Sequence, residues 1–355
     1  MTQSLIITDT IRHLILIFGT FIVAYFIALI LAKPLIGLLI RLKWNKNMRE
    51  KSLTGGKAEL FRKLHLKKSG TPTMGGILIW GVTLLTVILS RLLSYFGLID
   101  HSLINRKETY LPLFTLLVTA LLGGIDDIVN IKGLGSQQGL SAKFKFLWLT
   151  FFAFTGSLWF YYKLGYNFIH IPFLGDVLIG AWYIPLFIFI IVASANAVNI
   201  TDGLDGLSGG LAVIAFAAFG TIAYAKGLFI LAALCAVIIG STLAFLWFNI
   251  PPAKFYMGDT GSLSLGATLG VIAMLTNSVI ILPIVGIIFV IETLSVIIQI
   301  ASKKFLKRKI FHIAPLHHHF EYLGLSESTI TMRFWFIGGI FGALGLILGL
   351  VISGV

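Results

Sequence analysis

Long apolar stretches alternate with short polar segments along the whole chain. A membrane-spanning helix needs roughly 20 apolar residues, and ten stretches approach that length. They cover residues 14–36, 74–93, 110–124, 146–162, 178–195, 208–225, 228–248, 262–282, 284–302 and 331–353. The pattern predicts an all-α polytopic membrane protein of about ten transmembrane helices, with residues 1–355 forming a single domain.

The composition supports this fold class. Hydrophobic residues make up 57% of the 355 residues and charged residues only 12%, whereas soluble domains carry about 25% charged residues. The mean hydropathy is +0.97. These values exclude a soluble enzyme, a disordered chain and a secreted disulfide scaffold. Cys235 is the only cysteine, so no internal disulfide can form.

The net charge of +13 is unevenly distributed along the chain. Of the 27 Lys and Arg residues, 20 fall in alternate loops, with most in segments 41–73 and 303–333. The positive-inside rule therefore predicts that these loops are cytoplasmic and that both termini are periplasmic. The charge is a topological signal and does not indicate nucleic-acid binding. On the opposite face, segment 163–177 contains turn residues that predict a small hairpin or a short helix.

Five of the eight aspartates fall at span ends or loops of the predicted cytoplasmic side: Asp126, Asp127, Asp202, Asp205 and Asp259. Carboxylates at membrane depth are costly and tend to mark function. The adjacent acids of GGIDD repel each other unless a divalent metal, or a proton held by a shifted pKa, offsets them. The alternative is that these residues cap helices or pair with nearby lysines.

The segment NAVNITDGLDG is polar at every third position, at Asn196, Asn199, Asp202 and Asp205. In a helix, this spacing keeps the four side chains near one side. Amides and carboxylates are good partners for hydroxyls, amide N–H groups and metal-bound water. The alternative is a turn rich in Asn and Asp.

Two further motifs suit phosphate binding. YMGDTGS places Asp259 at the start of a span, and a helix N-terminus is a natural anion site. Mg²⁺ prefers one or two carboxylates together with substrate phosphate oxygens. KKSGTPTMGG brings lysines and glycines to another span and is not a Walker A loop. Lys143 and Lys145 either add positive charge to the site or are plain inside-positive residues.

Three consecutive histidines follow the basic segment 303–309, within PLHHHFE. Consecutive residues of a regular helix cannot all face one metal, so hydrogen bonding to phosphate or sugar is favoured over a zinc site. Glu292 is an acid inside the ninth apolar stretch. It is expected to mark a bend or to be buried against Thr293 or Ser295.

Together, SGTPTMGG, GGIDD, NAVNITDGLDGL, FYMGDTGS and IFHIAPLHHHFE, in this order, resemble the MraY family of phospho-N-acetylmuramoyl-pentapeptide-transferases. This family belongs to the polyprenyl-phosphate N-acetylhexosamine-1-phosphate transferase superfamily. The resemblance extends over essentially the whole chain. APLHHHFE is its most discriminating part, because the WecA-type enzymes that transfer N-acetylglucosamine phosphate carry a different histidine motif. A WecA-type activity is the alternative interpretation.

The resemblance implies a reaction and its partners. The family transfers phospho-N-acetylmuramoyl-pentapeptide from UDP-MurNAc-pentapeptide to undecaprenyl phosphate, and the products are lipid I and UMP. It requires Mg²⁺. The implied location is the bacterial inner membrane as a multi-pass protein, with the active site on the cytoplasmic face, the lipid bilayer as a partner and no nucleic acid. A homodimer is compatible with this interpretation.

The resemblance also implies roles for individual residues. Asp126, Asp127 and Asp259 correspond to the catalytic aspartates, with Asp259 as the Mg²⁺ ligand. Tyr256 stands where the family usually has a Phe that stacks on uracil, so the ring is retained and a hydroxyl is added. The other substrate-binding positions are Lys68, Thr73, Asn196, Asn199, Asp202, Asp205, Gln299, His317, His318 and His319, together with Lys143 or Lys145.

Two chemical routes fit these roles. In the first, the lipid phosphate attacks the donor directly while Asp126 positions it. In the second, an aspartate attacks first and forms a phospho-sugar enzyme. A phosphate monoester has a second pKa of roughly 6, so the lipid phosphate barely needs a base at neutral pH, and direct attack is favoured.

Overall fold

The computed structural model describes residues 2–45, 70–99, 102–105, 108–133 and 139–352. Most of these residues are helical. In chain order the helices are α1 (Thr2–Arg41), α2 (Gly76–Tyr95), α3 (Tyr110–Ile131), α4 (Ala142–Leu158), α5 (Tyr183–Thr201), α6 (Leu207–Ala225), α7 (Phe229–Asn249), α8 (Asp259–Leu275), α9 (Leu282–Val285), α10 (Ile287–Ala301), α11 (Leu316–Tyr322) and α12 (Glu327–Ile352). Single π-helical turns continue α4 and α10, at Trp159–Lys163 and Ser302–Leu306.

Each of the ten apolar stretches overlaps a helix. Within the part of the chain that the structure describes, seven helices are long and apolar enough to cross a membrane. Helices α4, α8 and α10, with 17, 17 and 15 residues, account for the other three stretches. The prediction of an all-α polytopic membrane protein is confirmed. The count of ten spans and the periplasmic termini stay predictions.

The predicted boundary between the eighth and ninth stretches differs from the structure. Helix α8 ends at Leu275, and Asn277 adopts a positive φ of 46°. The ninth stretch then comprises the short helix α9 and, after a break at Gly286, helix α10. The apolar composition continues across these breaks, so hydropathy alone could not locate them.

Helix α8 lies at the centre of the bundle, where all of its residues from Asp259 to Leu275 are buried. It packs mainly against α3 and α5. The contact with α3 is close because Gly123 lacks a side chain: a Cβ there would collide with the backbone carbonyl of Asp259. Small residues let membrane helices approach closely. The GGIDD motif therefore lies directly beside the start of α8.

A two-stranded antiparallel sheet joins α4 to α5. Strand β1 (Phe168–Ile171) pairs with β2 (Gly175–Leu178). For segment 163–177, this confirms the hairpin over the short helix. The hairpin region contacts the C-terminal end of α8, where the Tyr166 hydroxyl donates to the Leu275 carbonyl at 2.9 Å.

Candidate active site

Asp127 caps the first turn of α8 from the neighbouring helix α3. Its Oδ1 accepts a hydrogen bond from the Asp259 N–H at 3.1 Å, and its Oδ2 accepts one from the Thr260 N–H at 3.0 Å. The first N–H groups of a helix have no partner within it, and the helix dipole favours a negative charge there. Asp127 is four residues after Gly123, on the same face of α3, so the close contact at Gly123 brings its carboxylate to these donors.

The residue before α8 must be a glycine in this arrangement. Gly258 has a positive φ of 74°, and a Cβ there would collide with the Asp127 carboxylate. The same Cβ would lie 3.0 Å from the hydroxyl of Thr73, which is buried and has no hydrogen-bond partner among the described residues. Gly258 thus allows the start of α8, the end of α3 and the segment that contains Thr73 to approach one another closely.

Asp126 and Asp259 form an acidic pair that shares the ammonium of Lys145. The Nζ of Lys145 lies 3.0 Å from an oxygen of each carboxylate. The other oxygen of Asp126 accepts a hydrogen bond from the Leu140 N–H at 2.6 Å. All three side chains are largely buried, whereas Lys143 is exposed. Of the two lysines that the sequence left open, the structure places Lys145 against the acidic pair.

Asn199, in the last turn of α5, completes the surroundings of Asp259. Its Nδ2 donates to Asp259 Oδ1 at 2.9 Å and to Ser262 Oγ at 2.8 Å. Asn196, one turn earlier, donates to the Val192 carbonyl of its own helix at 2.8 Å. Asn199 therefore bonds directly to Asp259, whereas the Asn196 side chain bonds within α5.

The predicted one-sided spacing of the four polar residues holds only in part. Helix α5 ends at Thr201, so Asp202 caps its C-terminus and Asp205 lies in the turn before α6. The Asp205 carboxylate accepts a hydrogen bond from the Ala253 N–H at 3.0 Å, and its own N–H donates to Glu327 at 2.6 Å. Asp205 thus ties the chain before α6 to the loop after α7 and to α12.

Tyr256 and Thr73 belong to two chain segments that pair through their backbones. The Tyr256 N–H donates to the Pro72 carbonyl at 2.8 Å, and its carbonyl accepts from the Gly75 N–H at 2.7 Å. The Tyr256 ring is half-buried. Lys68, the remaining predicted position in this region, lies outside the described residues.

The three histidines of α11 face three different partners. His317 is fully buried and bonds Glu292 through both its backbone N–H and its Nδ1, each at 3.0 Å. The Nδ1 of His318 lies 2.6 Å from a Glu321 oxygen. The half-buried ring of His319 stacks on His312, at 5.5 Å between ring centroids.

The surroundings of the His319 ring disfavour its protonated form. Burial lowers the pKa of His319, and the neighbouring His312 lowers it further. Within the described ranges, no group of three or more His, Cys, Asp or Glu side chains is arranged to hold a metal ion.

Gln299 fixes the backbone that leads to the histidines. Its Nε2 donates to the Phe311 carbonyl at 2.6 Å, and its Oε1 accepts from the N–H groups of Ile310 and Phe311 at 3.1 and 3.0 Å. The amide of this buried side chain thus bonds to the main chain of residues 310 and 311. Its role as a substrate-binding position stays a prediction.

The expected burial of Glu292 is confirmed, but its side chain bonds His317 rather than Thr293 or Ser295. The sequence suggested a bend or burial against Thr293 or Ser295, but both hydroxyls bond carbonyls of their own helix, at 2.8 and 2.6 Å. The Glu292 side chain instead holds His317. The contact joins residues 25 positions apart, so no local spacing could reveal it. The role of Glu327 was missed for the same reason, since its partner Asp205 is 122 positions away.

The acidic pair fits a divalent cation. Asp126 and Asp259 direct oxygens at one point, where the ammonium of Lys145 now supplies a positive charge. Mg²⁺ needs only one or two protein carboxylates when substrate phosphates and water provide its other ligands. Asp126 and Asp259 are therefore the residues that would hold the ion.

Two family models match parts of the chain. Residues 110–277 match the model described as glycosyl transferase family 4. Residues 68–79 match signature 1 of the phospho-N-acetylmuramoyl-pentapeptide-transferases. The first match includes Asp126, Lys145, Asn199 and Asp259, and the second includes Thr73.

Similar proteins extend the match over most of the chain. The protein named phospho-N-acetylmuramoyl-pentapeptide-transferase from Chloroflexus aggregans is 42% identical over 301 residues, which cover 81% of this chain and 79% of that protein. The proteins of the same name from Geobacillus sp. (strain WCH70) and Anoxybacillus flavithermus are 40% and 39% identical. These two alignments cover 92% and 91% of this chain and 95% and 94% of the relatives.

The fold and the site define a polytopic helical membrane protein in which two buried carboxylates and a lysine meet where three helices begin or end. The sequence similarity specifies the family. The chain belongs to the phospho-N-acetylmuramoyl-pentapeptide-transferase family.

Proposed function

We propose that this protein transfers phospho-MurNAc-pentapeptide from UDP-MurNAc-pentapeptide to undecaprenyl phosphate, which yields lipid I and UMP. This is the first membrane step of peptidoglycan synthesis. The names of the relatives and the signature at residues 68–79 support this donor over the WecA-type alternative. The observation that carries the chemistry is the shared contact of Lys145 with Asp126 and Asp259.

Transfer between two phosphates depends on positioning and charge more than on covalent chemistry. The lipid phosphate and the donor diphosphate are both anionic, so their approach requires positive charge. Lys145 supplies an ammonium at the site, and the start of α8 adds backbone dipole. When bound, Mg²⁺ neutralises charge on the leaving phosphate. Asp126 and Asp259 are the residues proposed to hold it.

The two aspartates of GGIDD have different surroundings, and this supports different roles. Both oxygens of Asp127 accept hydrogen bonds from the first N–H groups of α8, so Asp127 is a poor nucleophile. Asp126 faces Lys145, where the two phosphates would meet. In the favoured route, an oxygen of the lipid phosphate attacks the sugar-linked phosphorus. The bond to the UMP oxygen breaks, and UMP leaves with the electron pair.

One assay tests the reaction and its donor. Purified protein, Mg²⁺ and undecaprenyl phosphate are incubated with UDP-MurNAc-pentapeptide or with UDP-N-acetylglucosamine, and UMP release is followed. We expect turnover with the first donor only. Turnover with UDP-N-acetylglucosamine alone would establish the WecA-type alternative, and turnover with neither donor would reject both proposals.

A second assay separates the two chemical routes. Enzyme and donor are mixed without lipid, and UMP is counted per active site. Direct attack predicts no burst and a graded loss of turnover for Asp126→Asn. A stoichiometric burst with a labelled phospho-sugar on the protein, abolished by Asp126→Asn, would establish the covalent route.

The proposed location is the bacterial inner membrane, with the site facing the cytoplasm where the nucleotide donor is made. The end of α3, the start of α4, the end of α5 and the start of α8 supply the site, so these four ends lie on one side of the bundle. A periplasm-active reporter fused after Val355 should be active. Reporter activity only from a fusion within segment 41–73 would reverse the orientation. Assembly as a homodimer stays a prediction.

A further inference from the structure

Glu292 is a buried carboxylate that has no role in the reaction proposed above. It lies on α10, has no exposed surface, and binds the equally buried His317 of α11. Its Oε1 accepts from the His317 backbone N–H and its Oε2 contacts Nδ1, both at 3.0 Å. A carboxylate within a membrane bundle costs free energy, and such residues tend to mark a functional site.

The two contacts of Glu292 have different chemical requirements. The backbone N–H belongs to the first turn of α11, and any acceptor oxygen would cap it. The Nδ1 contact is more selective, because an ionised carboxylate can only accept hydrogen bonds. A carboxylate oxygen opposite Nδ1 therefore favours the form of the His317 ring that carries its proton on Nδ1 and leaves Nε2 as an acceptor.

The orientation of this ring affects the site through Gly203. His317 Nε2 has no hydrogen-bond partner among the described residues and lies against Gly203, where a Cβ would collide with it. Gly203 follows Asn199 by one turn of chain, and Asn199 bonds Asp259. The contacts thus run from Glu292 through His317 and residues 199–203 to the acidic pair.

We propose that Glu292 is a positioning residue that fixes the tautomer and the orientation of His317 against residues 199–203. This inference rests on the proposed transferase function for its effect on turnover. Its prediction for the His317 proton is independent of that function. A capping role alone would require one acceptor oxygen and would not depend on which ring nitrogen carries the proton.

The variant Glu292→Gln separates these two roles. Glutamine has nearly the same shape, and its oxygen can still cap the His317 N–H. Its amide NH₂ then faces Nδ1 and can only donate, so the ring proton must move to Nε2. Capping is preserved while the tautomer is reversed.

The experiment combines ¹⁵N NMR of histidine-labelled protein with UMP-release kinetics. The His317 signals are assigned by their loss in His317→Asn. We expect a protonated Nδ1 in the unsubstituted protein and a protonated Nε2 in Glu292→Gln. We also expect kcat to fall about 10- to 100-fold, by analogy with the loss caused by removing a carboxylate that orients a metal-bound histidine. In the His317→Asn background, Glu292→Gln should cause no further loss.

A matched control is Ser295→Ala, which removes a buried hydroxyl from the same helix whose bond is to the Glu292 backbone carbonyl. It should leave both the spectrum and kcat unchanged. The inference is overturned by a protonated Nε2 in the unsubstituted protein or by an unchanged kcat in Glu292→Gln. It is also overturned if the fold-loss of kcat in the double variant equals the product of the losses in the two single variants. If Glu292→Gln does not fold, the spectrum of the unsubstituted protein still decides. Absence of turnover without any substitution would reject the proposed function and leave the tautomer result standing.

Discussion

At both ends of helix α8, side chains from other elements bond backbone groups that have no partner within the helix, but they do so with different chemistry. At the start of the helix, the Asp127 carboxylate accepts hydrogen bonds from the N–H groups of Asp259 and Thr260. At the other end, the Tyr166 hydroxyl donates to the Leu275 carbonyl, and Lys226 Nζ donates to the Thr276 carbonyl at 2.6 Å. A negative group at the N-terminus and a positive group at the C-terminus both complement the helix dipole.

The two ends differ in the polar side chains that they carry in addition to these capping groups. The start of α8 also carries the Asp259 carboxylate with Lys145 and Asn199 bound to it, and none of these side chains is needed to cap the helix. At the far end, a further bond from the His170 N–H to the Asn277 side chain oxygen, at 3.1 Å, attaches the hairpin. Additional buried charge at one end distinguishes the proposed reactive site from the structural contacts at the other end.

The largest effect is expected from Asp259→Asn, which keeps the shape of the side chain and removes its charge. Turnover should fall by about 10³-fold, because a preorganised charge at the reacting phosphates is lost. Excess Mg²⁺ should rescue little of it, and the melting temperature should change little. UMP-release kinetics over a Mg²⁺ series measure this. Near-normal turnover would show that Asp259 is not a metal ligand.

The next effect is expected from Lys145→Met, which leaves Asp126 and Asp259 facing each other without their shared cation. Like charges this close repel strongly, so Mg²⁺ should raise the melting temperature of this variant more than that of the unsubstituted protein. Turnover should fall by about 10²-fold. Lys143→Met is the matched control, since that side chain is exposed. Equal Mg²⁺-dependent shifts in both variants would argue against a cation between the two carboxylates.

Asp127→Asn tests whether capping and chemistry can be separated at the start of α8. Asparagine has an NH₂ group in place of one of the two acceptor oxygens, so one of the two N–H groups loses its partner and the free energy of unfolding should fall by about 1 kcal/mol. Turnover should fall less than in Asp259→Asn, because Asp127 acts through the position of the helix. Denaturation and kinetics on the same preparation decide this. A loss of turnover equal to that of Asp259→Asn, with unchanged stability, would assign Asp127 a direct role.

The smallest effect is expected from Lys226→Met at the far end of α8. Loss of a cation near a helix C-terminus costs about 0.5 kcal/mol, which a small drop in melting temperature would report. Turnover should remain within about twofold, since the N-terminal end keeps all its contacts. A large loss of turnover at full stability would mean that the two ends of α8 are functionally coupled.

The sequence predicted the helical membrane fold and the clustering of its motifs. Hydropathy located all ten helical stretches, because a bilayer imposes a nearly fixed length on each apolar helix. The sequence also predicted that Asp126, Asn199 and Asp259 lie on one side of the membrane, because each falls at the cytoplasmic end of its predicted span. Hydropathy could not place the break at Gly286, where apolar residues continue without interruption.

The sequence could not predict which side chains would form hydrogen bonds and ion pairs with each other. Asp126 and Asp127 are adjacent and chemically identical, yet one faces Lys145 and the other caps α8, because consecutive residues of a helix point about 100° apart. The choice between Lys143 and Lys145 depended in the same way on which face of α4 meets the bundle. The bond of Glu292 to His317 required two helices to pack first.

The sequence by itself therefore determined the class of protein, its apolar helical stretches, its family and the residue types at its site. These follow from local composition and from motifs that each occupy a few neighbouring positions. The tertiary structure alone decided which carboxylate bonds which donor, which lysine enters the acidic pair, and how a glutamate orients a histidine. Hydrogen bonds and ion pairs act over about 3 Å, and only the packed bundle brings residues far apart in the chain to that distance.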